Sequence, residues 1–96
     1  MQSVLQNNRE CMLCGTPIGL HRHHCLHGTA NRRKAEKYGY WVYLCASHHM
    51  QVHENDSLDR QFKTMAQRHF ETNHGTRSDF IREFGKSYIT EREEER

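Results

Sequence analysis

Apolar positions divide this chain into segments of different period. Leu20 to Leu26 (LHRHHCL) suits an extended strand. Alternate side chains of a strand share a face, which sets His21, His23 and Cys25 on one side and Arg22, His24 and Leu26 on the other. Tyr40 to Leu44 (YWVYL), aromatic and β-branched, is the strongest strand signal and should pair back against the first strand as a hairpin. Between the two, His27 to Ala30 read as a loop, and Asn31 can cap a short helix through Tyr38, with Gly39 at the left-handed C-terminal position.

Downstream the period becomes helical. Cys45 to Glu54 (CASHHMQVHE) reads as a short helix that places His49 and His53 one turn apart on the same face. Asp56 or Ser57 caps a longer helix to about Asn73, in which Leu58, Phe62, Met65, Ala66 and Phe70 recur at steps of three and four as a core stripe. Thr76 with Asp79, or Ser78 as an alternative start, opens a last helix carrying Phe80, Ile81 and Phe84 and ending at Gly85, after which Tyr88 and Ile89 pack back. No internal repeat is present. The partition is a loose polar lead-in over residues 1–10, with Val4 and Leu5 packing onto the domain, one domain over 11–89, and a charged, disordered or frayed tail over 90–96.

Composition sharpens this picture. With 96 residues and 34% hydrophobic content, the chain has room for one domain and too little apolar surface for a large core. Such a domain needs a staple, and four cysteines with nine histidines make a metal the natural one. Two disulfides are the competing explanation. Met1 to Glu10 holds no apolar run suited to a signal peptide, and no stretch of about 18 apolar residues could span a bilayer. The expectation is therefore a soluble, cytoplasmic protein without membrane association, in which thiols stay reduced.

Two ligand constellations stand out. Cys11-x2-Cys14, a tight turn relieved by Gly15, and Cys45-x2-His48 provide two close pairs of soft or borderline donors, the set expected for a closed tetrahedral structural zinc site. The other reading of these residues is ordinary buried thiols. Cys25 is left over, either a small buried apolar residue or a replacement ligand. The second constellation is His23-His24 on the strand with His49-x3-His53 on the helix. Two helical histidines can hold two corners of an ion, and a third from the facing strand leaves positions open for water and substrate. His21 and His27 flank this set and could substitute as ligands or contact phosphate, whereas His69 and His74 read as surface residues.

Net charge is only +2, but it is unevenly placed. From His21 to His53, Arg22, Arg32, Arg33, Lys34 and Lys37 face a single acid, Glu36, while the segment from Glu91 to Arg96 has four Glu and two Arg. Arg32, Arg33, Lys34 and Lys37 lie where a phosphate backbone would pass, contacts that position DNA without reading its sequence; a solvated basic helix face is the alternative.

The order C-x2-C, HH on a strand, then L-C-x2-H-H-x3-H resembles the HNH, or His-Me finger, nucleases. In particular, HHCLHGTANRRKAEKYGYWVYLCASHHMQVH, residues 23–53, looks like small phage-encoded members with a zinc knuckle. The resemblance covers Cys11 to His53 and implies an α+β fold, a small zinc-stabilised ββα-metal core, here with a C-terminal two-helix appendage. It implies that His23 binds a catalytic divalent metal (Mg²⁺, Mn²⁺, Ni²⁺ or Zn²⁺) with His49 and His53. It also implies that His24 is the general base for water attack on the phosphodiester bond, leaving a 5′ phosphate. The family's middle asparagine precedes the second strand, at the place occupied here by Tyr40. Asn31 alone could take that part, and a plain helix cap is its other reading. The expected partner is DNA, with little sequence preference, in the host cytoplasm if the chain is phage-encoded. One active site either nicks a single strand or pairs in a homodimer to cut both. The alternatives are a zinc-stabilised nucleic-acid-binding or adaptor module without turnover, and an interaction module with two structural zinc sites.

Overall fold

The computed structural model describes residues 1–89; the expected charged tail, 90–96, lies outside the described residues. The fold is a small α+β arrangement of β1 (Leu20–His24), α1 (Thr29–Tyr38), β2 (Trp41–Cys45), α2 (Ala46–Glu54), α3 (Asp56–Asn73) and α4 (Arg77–Phe84). Both strands form one antiparallel pair, running from Leu20 opposite Cys45 to His24 opposite Trp41. Helix α1 fills the connection and packs on β1, while α2 leaves β2 without a loop and packs across both strands.

Several boundaries differ from expectation. The first strand ends at His24; Cys25 and Leu26 go on into the core as loop residues, with Cys25 N–H donating to the Tyr40 carbonyl at 3.0 Å. Asn31 is not the cap of α1, which begins earlier behind Gly28, a residue with φ of +94° and no side chain to offer. Asn55, rather than Asp56 or Ser57, caps α3 by accepting from Leu58 N–H. Thr76 and Asp79 do form a reciprocal capping box on α4.

The lead-in is tied down rather than loose. Ser3 Oγ donates to the Trp41 carbonyl at 2.6 Å, Tyr43 N–H donates to Gln6 Oε1 at 2.9 Å, and Met12 N–H donates to the Tyr43 carbonyl at 2.8 Å. These bonds cover the edge of β2 that β1 leaves open, removing a row of unpaired backbone groups. Val4 N–H also reaches the Gly39 carbonyl at 3.0 Å, and a Cβ on Gly39 would stand 2.5 Å from the Gln2 carbonyl oxygen.

One cluster of buried side chains runs through all of this. Tyr40, Val42 and Leu44 of the second strand and its approach join Val52 of α2, Phe62, Ala66 and Phe70 of α3, and Phe80 and Phe84 of α4. The two C-terminal helices thus share the core rather than hang from it. His69, expected on the surface, is half-buried, its Nδ1 3.1 Å from the Tyr40 hydroxyl. Gln67, fully buried, is satisfied by Glu71, Ser87 and the Tyr88 backbone. Among the described residues no helix is long and apolar enough to cross a membrane.

Candidate metal centres

The first centre is built by the turn after the lead-in and by the junction of β2 with α2. Gly15, at φ +79°, lets the chain reverse so that its N–H donates to the Cys11 carbonyl at 2.8 Å. Cys45 ends β2 and caps α2, and His48 lies one turn into that helix. Donor atoms of Cys11, Cys14, Cys45 and His48 consequently lie within 4.8 Å of one another, close enough to hold a metal ion. Cys14 Sγ is 3.9 Å from Cys45 Sγ; His48 Nδ1 is 3.6 Å from Cys11 Sγ and 3.2 Å from Cys45 Sγ. Tetrahedral zinc with ordinary bond lengths separates its ligands by about 3.8 Å for two sulfurs and about 3.6 Å for sulfur and nitrogen, so the set is compatible with structural zinc.

The electrostatics favour a thiolate here. Burial pushes the Cys11 thiol up, but backbone N–H groups of Cys45, Leu13 and Cys14 aimed at its sulfur hold it down at about 6. At Cys14 a backbone hydrogen bond at Thr16 favours the thiolate, yet residual desolvation and the adjoining sulfurs of Cys11 and Cys45 raise it. Crowded sulfurs that cannot all ionise together are what a cation relieves. The fourth cysteine, Cys25, is fully buried away from this set, and desolvation raises its thiol far above the ordinary value. All four cysteines are free thiols.

The second centre lies where β1 faces α2. His23 is 1% exposed, and its Nε2 is the buried side-chain nitrogen that has no hydrogen-bond partner among the described residues. Leaving such an atom unsatisfied costs about 1–3 kcal/mol. Donor atoms of His23, His49 and His53 fall within 4.8 Å of one another. His49 Nε2 and His53 Nε2 stand 3.2 Å apart, as the one-turn spacing on α2 requires. Burial pushes the His23 imidazole down to about 4, aided by the charges of His27 and His49, so it is neutral and ligand-competent at pH 7. His49 is lowered likewise, by burial and then by His53 and His21.

Strand alternation sends the next residue elsewhere. His24 Nε2 lies 2.8 Å from Glu36 Oε2 on α1, and Arg22 pairs with the other carboxylate oxygen while its guanidinium sits 3.9 Å above the Trp41 ring. A pocket of about 300 Å³ nonetheless gathers Arg22, His23, His24, His27, Arg32, His49 and His53. Side chains from both faces of β1 line it, and among the described residues β2 is the one strand paired with β1.

The other expected site residues are placed as follows. Asn31 Nδ2 donates to the Phe84 carbonyl at 3.1 Å, so the side chain joins α1 to α4. Lys34 Nζ donates to the Glu83 carbonyl at 2.6 Å, which ties it down, whereas Arg32, Arg33 and Lys37 are exposed. Two relevant residues, Glu36 and Asp59, escaped the sequence reading, and His21, expected there only as a substitute ligand or phosphate contact, has a different part. His21 Nδ1 lies 3.1 Å from His49 Nδ1 and so orients the far side of that ring. Glu36 had counted only as the lone acid in a basic run, an isolation that was the available signal for it, and Asp59 had no part in that reading.

Comparisons with protein-family descriptions, with curated proteins and with solved structures found no match.

Proposed function

We propose that this chain is a metal-dependent endonuclease of the HNH, or His-Me finger, type that hydrolyses phosphodiester bonds of DNA, with structural zinc on Cys11, Cys14, Cys45 and His48. The observation that carries this reading is the partnerless, buried Nε2 of His23 beside His49 and His53, with His24 next in sequence on the rim of the same pocket. In this reading the two strands and α2 are the ββα-metal core.

His23, His49 and His53 would hold a divalent cation, which when bound supplies Lewis acidity at the scissile phosphate and the leaving 3′ oxygen. His24 takes the proton from the attacking water. Glu36 is a carboxylate, so His24 Nε2–H donates to it and Nδ1 is the nitrogen left to accept that proton. The same carboxylate then stabilises the imidazolium that forms. Arg32 at the pocket and the exposed Arg33 and Lys37 on α1 meet backbone phosphates, which favours binding with little sequence preference. Asn31, engaged with Phe84, supports α1 from behind and takes no step in the chemistry.

The test is nicking of supercoiled plasmid with Mg²⁺, Mn²⁺ or Ni²⁺ by the parent and by His24→Ala, both carrying one tightly bound zinc. The parent nicks, and loss of the base lowers the rate about 10²- to 10⁴-fold. If neither protein cuts plasmid, branched or single-stranded DNA with any of these ions while both bind DNA equally, the chain is a zinc-stabilised binding module instead.

A further inference from the structure

His23 has ligand-bearing neighbours on two sides. Beside the α2 pair stand His27, in the loop after β1, and Asp59 of α3, and their donor atoms lie within 4.8 Å of each other and of a His23 nitrogen. The His27 ring meets His23 edge-on with centroids 5.5 Å apart, and stands 6.3 Å from the His53 ring. His27 Nε2 is 2.6 Å from Asp59 Oδ1, and Lys63 Nζ is 2.9 Å from Asp59 Oδ2.

Asp59 has a local reason to be where it is: a carboxylate suits the first turn of α3, and Lys63 follows it at the next turn. Neither that nor the His27 contact satisfies the His23 nitrogen, which α3 helps to bury through Phe62, whose ring is 5.7 Å from that of His23. We propose that His23, His27 and Asp59 form a second divalent-cation site of mixed nitrogen and oxygen donors, sharing the His23 imidazole with the all-histidine set.

The two sets differ in the ion they prefer. Three imidazoles suit Zn²⁺, Ni²⁺ or Co²⁺, whereas a carboxylate oxygen suits Mn²⁺ and Mg²⁺. In this proposal both sets draw on the partnerless Nε2 of His23, whose one lone pair admits one ion at a time, so the pocket holds a single ion in addition to the knuckle zinc. Taking up an ion on the His27 side replaces the His27–Asp59 hydrogen bond: the Nε2 proton passes through solvent to Nδ1, and His27 presents the Nε2 lone pair in its place. The two donor atoms then open from 2.6 Å to the roughly 3 Å that separates adjacent ligands of a six-coordinate ion. The arrangement lets one buried histidine accept either a borderline or a hard cation according to which pair of partners it uses.

The experiment needs no cleavage, so it is independent of the nuclease reading. Protein carrying one zinc is titrated with Mn²⁺, followed by the loss of the free-ion paramagnetic resonance signal, and separately with Ni²⁺ by calorimetry. Asp59→Asn and His27→Gln, each checked for retained zinc and circular dichroism, weaken Mn²⁺ binding about 10- to 100-fold and leave Ni²⁺ within about 3-fold. His53→Ala does the reverse, and in the parent saturating Ni²⁺ displaces Mn²⁺. The proposal is overturned if the parent binds no Mn²⁺, if both Asp59→Asn and His27→Gln bind it as the parent does, if His53→Ala loses both ions alike, or if Ni²⁺ and Mn²⁺ bind together.

Discussion

His24 Nε2 lies 2.8 Å from Glu36 Oε2, joining the end of β1 to the last turn of α1. Partial burial pushes the Glu36 carboxyl up, but the His24 hydrogen bond and the Arg22 charge more than offset this and leave it below its usual value. A depressed folded value means stabilisation that is fully present above the unfolded value of about 4.5 and lost as pH falls through the folded one. Glu36→Gln therefore costs at most about 1 kcal/mol at pH 7, because the pair is partly solvated, and costs nothing at low pH. Denaturant melts of parent and variant, compared at each pH from 7 down to the point at which the parent sheds its zinc, measure this; a difference that grows as pH falls contradicts it.

Cys14 and Cys25 give opposite expectations from opposite exposures. Cys14 is exposed, so packing gives Cys14→Ser no reason to matter; as a zinc ligand it matters greatly. The variant should lose zinc and unfold in a chelator concentration that the parent survives, since ligand binding and folding are coupled. Cys25→Ser buries a hydroxyl in the core and should cost about 1–3 kcal/mol while keeping one zinc per chain. Metal content by atomic emission, read beside thermal melts, separates the two.

Asn31→Ala removes the hydrogen bond to the Phe84 carbonyl and should lower stability by about 1 kcal/mol. Cleavage under conditions where the variant stays folded should fall less than about 3-fold, well short of the loss of an acid–base group. A drop of two orders of magnitude in turnover with an unchanged melting profile would return Asn31 to the catalytic centre.

The basic residues of α1 divide by geometry. Lys34→Ala gives up a bond to the Glu83 carbonyl and should register in stability. Arg33→Ala, at an exposed position, should leave stability unchanged and weaken DNA binding, lowering the salt slope of affinity by about 1. Fluorescence anisotropy over a salt series reads this directly; equal slopes for the parent and Arg33→Ala would remove α1 from the interface.

What the chain determined by itself is whatever local geometry settles. A tight turn brings Cys11 toward Cys14, one helical turn brings Cys45 to His48 and His49 to His53, and strand alternation parts His23 from His24. These follow from fixed repeats of backbone, so spacing alone reveals them. The packing of the four helices on the sheet and on one another decided the rest. Glu36 reaches His24, His21 turns to His49, His27 meets Asp59 and Asn31 spans to Phe84 across sequence separations of 12, 28, 32 and 53 residues. No repeat links such positions; each is set by how amphipathic helices bury Phe62, Phe70 and Phe84 against the sheet. The same packing seals His23 and leaves its nitrogen without a partner, which the sequence could not disclose because burial is a property of the assembled core.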